Sequence, residues 1–276
     1  MTPQRCARAV IEYDGTAFAG SQVQPNGRTV QGALEEALNR LTGERVRIRL
    51  AGRTDAGVHA TGQVIAFCLP RRRDGGDETW AALRRRLNAV LPADVAVRSL
   101  TAAPAGFDPR RDAIRRVYRY RIRDGGARAP LDRHRTLEID DRLDVAAMQA
   151  AASRFPGHRD FAALGSDRRG RTVRNLVEVA VTRRGSLVEV RVTANAFLRR
   201  MVRSIVAILL QVGRGRLPVA AVDELLADGE RALDGLAAPA RGLTLERVVY
   251  ETKRRAGTDG VGPAESPTQD RRASES

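Results

Sequence analysis

Strand-like runs, alternating between apolar and polar residues or continuously apolar, occupy residues 7–13, 46–50, 63–69 and 95–100. Between them, apolar residues recur at helical spacing over 30–41 and 79–90. A period of two predicts strands and a period near 3.6 predicts helices with one buried stripe. In the first helix the stripe is Val30, Leu34, Leu38 and Leu41, with Thr29 placed to cap its start and Gly43 to end it. A polar loop fills 70–77. The theme repeats from about residue 107, with strands predicted over 114–123, 172–182 and 186–193 and helices over 144–155 and 195–212. Strands joined mostly by short turns, with helices interspersed, favour an antiparallel or mixed sheet covered on one face by helices, an α+β architecture. The reading divides the chain into an N-terminal αβ half (1–105), a second αβ half (106–250) and a tail (251–276). The tail is rich in Gly, Pro, Ser, Thr and mixed charge, so it buries too little apolar surface to offset ordering entropy and is expected to be disordered.

Charge changes the picture from fold to partner. The 276 residues carry a formal net charge of +15. The tail holds five basic and five acidic residues, so the excess belongs to residues 1–250. A charge of this sign and size points to a polyanion, nucleic acid before a membrane surface. No run reaches the roughly 18 apolar residues of a spanning helix, and Met1-Thr2-Pro3 leads straight into a strand, which suggests a cytoplasmic protein. Cys6 and Cys68 stand far apart in strand-like surroundings and read as free thiols rather than a disulfide. His59, His134 and His158 have no zinc-ligand spacing, so no metal site is expected.

The candidate chemistry centres on 51–59, where Asp55 stands between Gly52 and Gly57 on a tight connection between two strands. Glycine admits backbone angles closed to other residues and lets another chain approach closely, which suits a loop that presses on a bulky substrate. An aspartate in such a setting is otherwise a turn residue bonding its own backbone. Tyr118 and Tyr120 share one face of a strand whose other face carries arginines, so a ring against a flipped base is one reading and a core tyrosine the other. Arg203 falls at the edge of an apolar helical arc formed by Phe197, Leu198, Met201, Val202, Ile205, Val206 and Leu209. From there it is either partly buried or laid over the core with its head in water. Arg53, two residues before Asp55, is placed to contact an RNA backbone or fill the space left by an extruded base. Arg8, Arg28, Arg71–Arg73, Arg84–Arg86, Arg110 and the arginines of 168–174 are further phosphate candidates.

The unbroken string Gly52-Arg53-Thr54-Asp55-Ala56-Gly57-Val58-His59 resembles the signature of the tRNA pseudouridine synthase A family. Glu12-Tyr13-Asp14-Gly15-Thr16, Val30-Gln31, Phe107-Asp108, Arg116-Val117-Tyr118-Arg119-Tyr120, Asn195-Ala196-Phe197, Met201-Val202-Arg203 and Gly242-Leu243 follow in the family's order, so the likeness spans about residues 5–250. The resemblance implies two ferredoxin-like halves sharing one sheet, a basic cleft between them and a homodimer. It implies that Asp55 is the catalytic carboxylate, that Arg203 pairs with it, and that Tyr118 stacks on the target uracil and takes part in removing the C5 proton. It implies a substrate as well, uridines at positions 38–40 of the tRNA anticodon stem-loop.

Conversion of uridine to pseudouridine breaks the N1–C1′ bond, turns the uracil and joins C5 to C1′, with no redox change and no cofactor. One ionised carboxylate serves, either by attacking the sugar or by removing a sugar proton. Closure of RNA over a carboxylate favours its protonated form, and an adjacent guanidinium restores the ionised one. A basic RNA-associated protein without catalysis is the alternative binding reading, and a complete Gly52–His59 string with Tyr118 and Arg203 argues against it. A glycoside hydrolase would need a second acidic group in a comparable motif, which the chain lacks. Three departures from the family pattern stand out: Ser21 where an aromatic is usual, Arg111-Asp112 in place of Phe-Ser, and Thr244 at a common tyrosine position, near the expected floor of the uracil pocket.

Overall fold

The computed structural model describes residues 3–71, 76–167, 170–227 and 237–251. The tail expected to be disordered lies outside the described residues beyond Glu251, as do the phosphate candidates Arg72, Arg73, Arg168 and Arg169.

The elements run β1 (Gln4–Tyr13), α1 (Val30–Thr42), β2 (Arg49–Leu50), β3 (His59–Pro70), α2 (Trp80–Val90), β4 (Val95–Ala102), β5 (Ala113–Asp124), β6 (Leu137–Ile139), α3 (Val145–Ala152), β7 (Gly157–Asp160), β8 (Val173–Arg184), β9 (Leu187–Ala194), α4 (Met201–Gly213), α5 (Ala221–Ala227) and β10 (Leu243–Tyr250). Among the described residues the fold is mixed α+β, with ten strands in one sheet of order β4-β1-β3-β10-β5-β9-β8-β7, β2 pairing with β3 and β6 with β5. Thr29 caps α1 through its side chain and Gly43 closes it in the left-handed region (φ 73°), as the sequence pattern predicts.

Two expected elements differ most. The strand over 46–50 shrinks to Arg49–Leu50, because Ile48 gives its N–H to the Glu35 carboxylate of α1 rather than to a neighbouring strand. The helix over 195–212 begins only at Met201. Arg200 before it takes a left-handed conformation (φ 66°), the only non-glycine residue with positive φ among those described, and that turn separates 195–199 from the helix.

Register explains the core. Tyr13 pairs with Ala60, Ala60 with Leu245, Leu245 with Tyr118, Tyr118 with Val192 and Val192 with Val179, making one buried row across six strands. Paired residues point to one side of a sheet, so this row defines the face that the helices cover. Ile11, Ile122, Val188 and Val190 occupy the same face and are fully buried, as are Leu34, Leu38, Leu83, Leu87, Met148, Ile205 and Leu209 of the helices above them. Each such side chain contributes about 1.5–3 kcal/mol by leaving water. Intervening residues project from the opposite face. There Arg119, Arg121 and Arg191 form a lattice with Glu189 and Glu246, so the arginines that follow Tyr118 in β5 are neutralised on the far side of the sheet.

The expectation of two separate thiols is incorrect. Antiparallel pairing of β1 with β3 sets Cys6 directly opposite Cys68 with Cα atoms 4.0 Å apart, and the two form a disulfide across 62 residues of chain. Cys6 alternates with the core-facing Ala7 and lies on the face away from the helices. Nothing in the local pattern around either cysteine encodes that register.

Candidate active site

Asp55 sits in the loop 51–58 that joins β2 to β3. Val58 N–H donates to the Asp55 carbonyl, and Gly57 supports the turn with φ 77°. Gly52 has open space around it and no positive φ, so of the two glycines only Gly57 meets a conformational need. Close approach matters instead at Gly15, where an added Cβ would lie 2.0 Å from the Val58 carbonyl oxygen.

The residue before Asp55 is held from three directions. Thr54 N–H donates to Ser21 Oγ (2.8 Å), Ser21 N–H donates to the Thr54 carbonyl (3.1 Å), and Thr54 Oγ1 shares a hydrogen with Tyr13 OH (2.8 Å). Ser21 is fully buried. The serine at a usual aromatic position is therefore a clasp for the loop. Burial pushes the Tyr13 hydroxyl up to about 12, against its bonds from Thr54 and Gln63, so it stays a neutral phenol. At the far end of the loop, His59 Nε2 faces the carbonyls of His134 (2.7 Å) and Arg241 (3.1 Å), which fixes it as the donor. His59 Nδ1 then accepts from Gly15 N–H (3.1 Å).

Arg203 lies in the first turn of α4 and reaches Asp55, with Nη1 3.4 Å from Oδ2. The Asp55 side chain is 32% exposed and that of Arg203 18%. Arg203 is also clamped to the segment before β10: its Nε donates to the Ala238 carbonyl (2.6 Å), while Ala238 N–H donates to its own carbonyl (3.0 Å). The helix arc read from sequence is half right. Met201, Val202, Ile205, Val206 and Leu209 are buried on α4, but Phe197 and Leu198 belong to the preceding loop.

Phe197 instead packs edge-on against Tyr118, with centroids 5.1 Å apart at 90°. Tyr118 is buried on the helix face. Burial pushes its hydroxyl above the ordinary tyrosine range, helped by nearby Tyr13 and Asp55 and opposed by Arg116. Burial therefore favours a neutral ring, suited to stacking, over the phenolate that proton removal would require. Leu245, fully buried, pairs with Tyr118 across β10 and β5. Thr244 pairs with Arg119 and so points to the opposite face, which removes the expectation that its lost aromatic ring alters a uracil pocket. Tyr120 donates to the Pro239 carbonyl (2.8 Å), a structural role as expected.

Asp55, Arg203 and Tyr118 thus converge from a loop, a helix and a strand. Arg53 is exposed beside them. Among the phosphate candidates, Arg28 is bound through both Nη atoms to Asp94 (2.6 and 2.7 Å), Arg86 pairs with Glu78, and Arg174 with Asp167. Arg8 lies over the Tyr250 ring. Arg71, Arg85 and Arg110 are exposed. Sequence reasoning gave no supporting role to Ser21, Tyr13, His59 or Leu245, although Tyr13 and His59 stand inside the family-like strings and Ser21 is one of the departures from them. Among the described residues no three His, Cys, Asp or Glu side chains come together to hold a metal, and no helix is long and apolar enough to cross a membrane.

Comparison with known proteins places the chain in a family. Residues 9–110 and 151–251 match the family described as tRNA pseudouridine synthase; Tyr118 lies between the two matched stretches. The chain is 41% identical over 248 residues to tRNA pseudouridine synthase A of Geotalea daltonii, covering 89% of this chain and 100% of the relative. It is 45% identical over 262 residues to tRNA pseudouridine synthase A of Roseiflexus sp. (93% of each chain) and 46% identical over 274 residues to that of Chloroflexus aurantiacus (93% of this chain, 96% of the relative). With more than half of its length matched, and relatives of this identity covered almost end to end, the chain belongs to the tRNA pseudouridine synthase family.

Proposed function

We propose that this protein isomerises uridine to pseudouridine in tRNA, with Asp55 as the catalytic carboxylate, in the anticodon stem-loop at positions 38–40. The observation that carries the proposal is the Asp55–Arg203 contact beside the buried Tyr118 ring. In this reading Asp55 either attacks C1′ as a nucleophile or removes a sugar proton, and the N1–C1′ bond breaks in both routes. The freed uracil turns against Tyr118, C5 bonds to C1′ as the Asp55–C1′ bond breaks or as the abstracted sugar proton is returned, and the C5 proton leaves as N1 regains one. Arg203 holds a positive charge beside the carboxylate while RNA excludes water. Arg53 contacts the backbone or occupies the place of the extruded base, whose unstacking takes a few kcal/mol that backbone contacts offset.

The remaining parts of the reading rest on family likeness and on the sheet order. Strands β4, β1, β3 and β2 precede residue 105, while β5 to β10 follow it, which supports a boundary there between two αβ halves. A homodimer and a cytoplasmic location complete the proposal. Its test is purified protein incubated with an unmodified tRNA transcript, followed by nucleotide-resolution detection of pseudouridine. New pseudouridine at anticodon stem-loop positions supports the reading, and its absence under conditions where the protein binds the transcript contradicts it. Light scattering of the free protein at twice the chain mass supports the dimer, and a single chain mass contradicts it.

A further inference from the structure

Arg116 stands two residues before Tyr118 on the same face of β5 and is 7% exposed. Its guanidinium donates to four backbone carbonyls: Nη1 to Ala113 (3.0 Å) and Asn195 (2.6 Å), Nη2 to Ala51 (3.0 Å) and Arg110 (2.6 Å). No carboxylate is among these acceptors. Burial pushes the group below its ordinary value, yet an arginine remains charged at neutral pH. Among the described residues this buried cation is held by carbonyl dipoles drawn from three parts of the chain.

Two of the four acceptors flank the proposed catalytic pair. Ala51 opens the loop four residues before Asp55, and its own N–H is anchored to the Val64 carbonyl of β3. Asn195 follows β9, eight residues before Arg203. Its side-chain oxygen accepts from Asn175 N–H and Ala196 N–H, and its N–H donates to the Asn175 carbonyl, so that turn is fixed and its carbonyl is left for Arg116. One planar group therefore joins the segment bearing the carboxylate to the segment leading to its cation.

We propose that Arg116 is a positioning residue for the isomerisation: it fixes the Asp55 loop against the lead-in to α4 and thereby sets the Asp55–Arg203 contact, without touching substrate. The inference rests on the reading of Asp55 and Arg203 as the reacting machinery. Lysine at this position keeps the charge but offers three donors from a single point, so it cannot span four carbonyls arranged around a planar fork.

The test compares Arg116→Lys with wild type, with Arg203→Met, and with the Arg116→Lys/Arg203→Met double variant. Arg119→Met, which breaks ion pairs on the opposite sheet face, is the control for loss of packing alone. Single-turnover rate, tRNA affinity and hydrogen exchange of segments 51–58 and 195–203 are measured on each. The expectation for Arg116→Lys is a rate loss of about 30-fold or more with affinity within about threefold, and both segments exchanging faster together, while Arg119→Met stays within about threefold of wild type. In the Arg203→Met background the same lysine adds less than about threefold, because the contact it sets is already gone. A wild-type rate in Arg116→Lys, a loss fully additive with Arg203→Met, or unchanged exchange in both segments overturns the proposal. If Arg116→Lys does not fold, Arg116→Gln is carried through the same measurements. Should the wild-type protein form no pseudouridine, the functional reading fails on that result, and the exchange data still decide whether Arg116 couples the two segments.

Discussion

Removing the guanidinium of Arg203 tests how much of the chemistry depends on the pair. Two unit charges 3.4 Å apart attract by about 5 kcal/mol at an effective dielectric constant near 20. Both side chains retain solvent contact, 32% for Asp55 and 18% for Arg203, so a net value of about 2–3 kcal/mol is the fitting discount. If that interaction holds the carboxylate in its reactive state, Arg203→Met slows the bond-breaking step roughly 30- to 150-fold. Arg203→Lys restores a positive charge but loses the Nε bond to the Ala238 carbonyl, worth about 1 kcal/mol, and should fall only about fivefold. Joining C5 to C1′ expels the C5 hydrogen, so release of tritium from tRNA labelled at uridine C5 reports turnover directly. With enzyme in excess over tRNA, binding is saturated and the rate is that of chemistry. A methionine variant at wild-type rate refutes the assignment. Equal losses for lysine and methionine would refute the charge argument and leave only geometry.

Other consequences follow from single contacts. Asp124 is fully buried and bound by both Nη atoms of Arg183 (2.8 and 2.6 Å) and by Leu143 N–H, so Arg183→Met should destabilise the fold by about 3–5 kcal/mol in urea unfolding. Burial alone would raise the Asp124 carboxyl, but its bonds to Arg183 and Leu143 outweigh that and hold it below the ordinary carboxylate value. A depressed folded-state value means its contribution is present above about pH 4 and is lost as pH falls through the depressed value, and melting scans in acid should show that loss in wild type but not in Arg183→Met. Ser21→Ala leaves the buried Thr54 N–H without its acceptor and should lower stability by about 1–3 kcal/mol, with a fall in turnover that tRNA affinity does not share. Reduction of Cys6–Cys68 frees 62 residues of chain separation and should lower unfolding free energy by up to about 4 kcal/mol while leaving turnover unchanged, because the disulfide faces away from the Asp55 loop. Affinity for tRNA should fall steeply with salt, and a flat response would contradict phosphate-led binding.

Much of this was legible because local signals and tertiary demands agree. Thr29, Gly43 and the Val30 to Leu38 stripe specify α1 by short-range chemistry alone. Asp55 stood out because its loop carries a long fixed string. What escaped depends on pairing between distant segments. β10 joins the two halves of the sheet at its centre, parallel to β3 and antiparallel to β5, yet nothing near residue 245 announces which strands it will meet. The disulfide hides for the same reason. Arg203 was found on a helix whose start was misplaced by six residues, since a left-handed Arg200 breaks an otherwise continuous apolar pattern. Ser21 is in sequence only a departure from the family pattern, and its hydrogen bond to Thr54 lies across 33 residues of chain. The face on which Thr244 lies was readable in principle, given the strand, from its alternation with Leu245.

The most direct test of the account is the behaviour of Asp55→Asn, which keeps the size and shape of the side chain and removes its charge. Wild type and variant are each mixed with an unmodified tRNA transcript, and pseudouridine is quantified site by site alongside the dissociation constant. The account predicts pseudouridine with wild type, none with the variant, and tRNA affinity within about threefold, because phosphate contacts position the RNA separately from the reacting group. Pseudouridine formed by Asp55→Asn at the wild-type rate would contradict it.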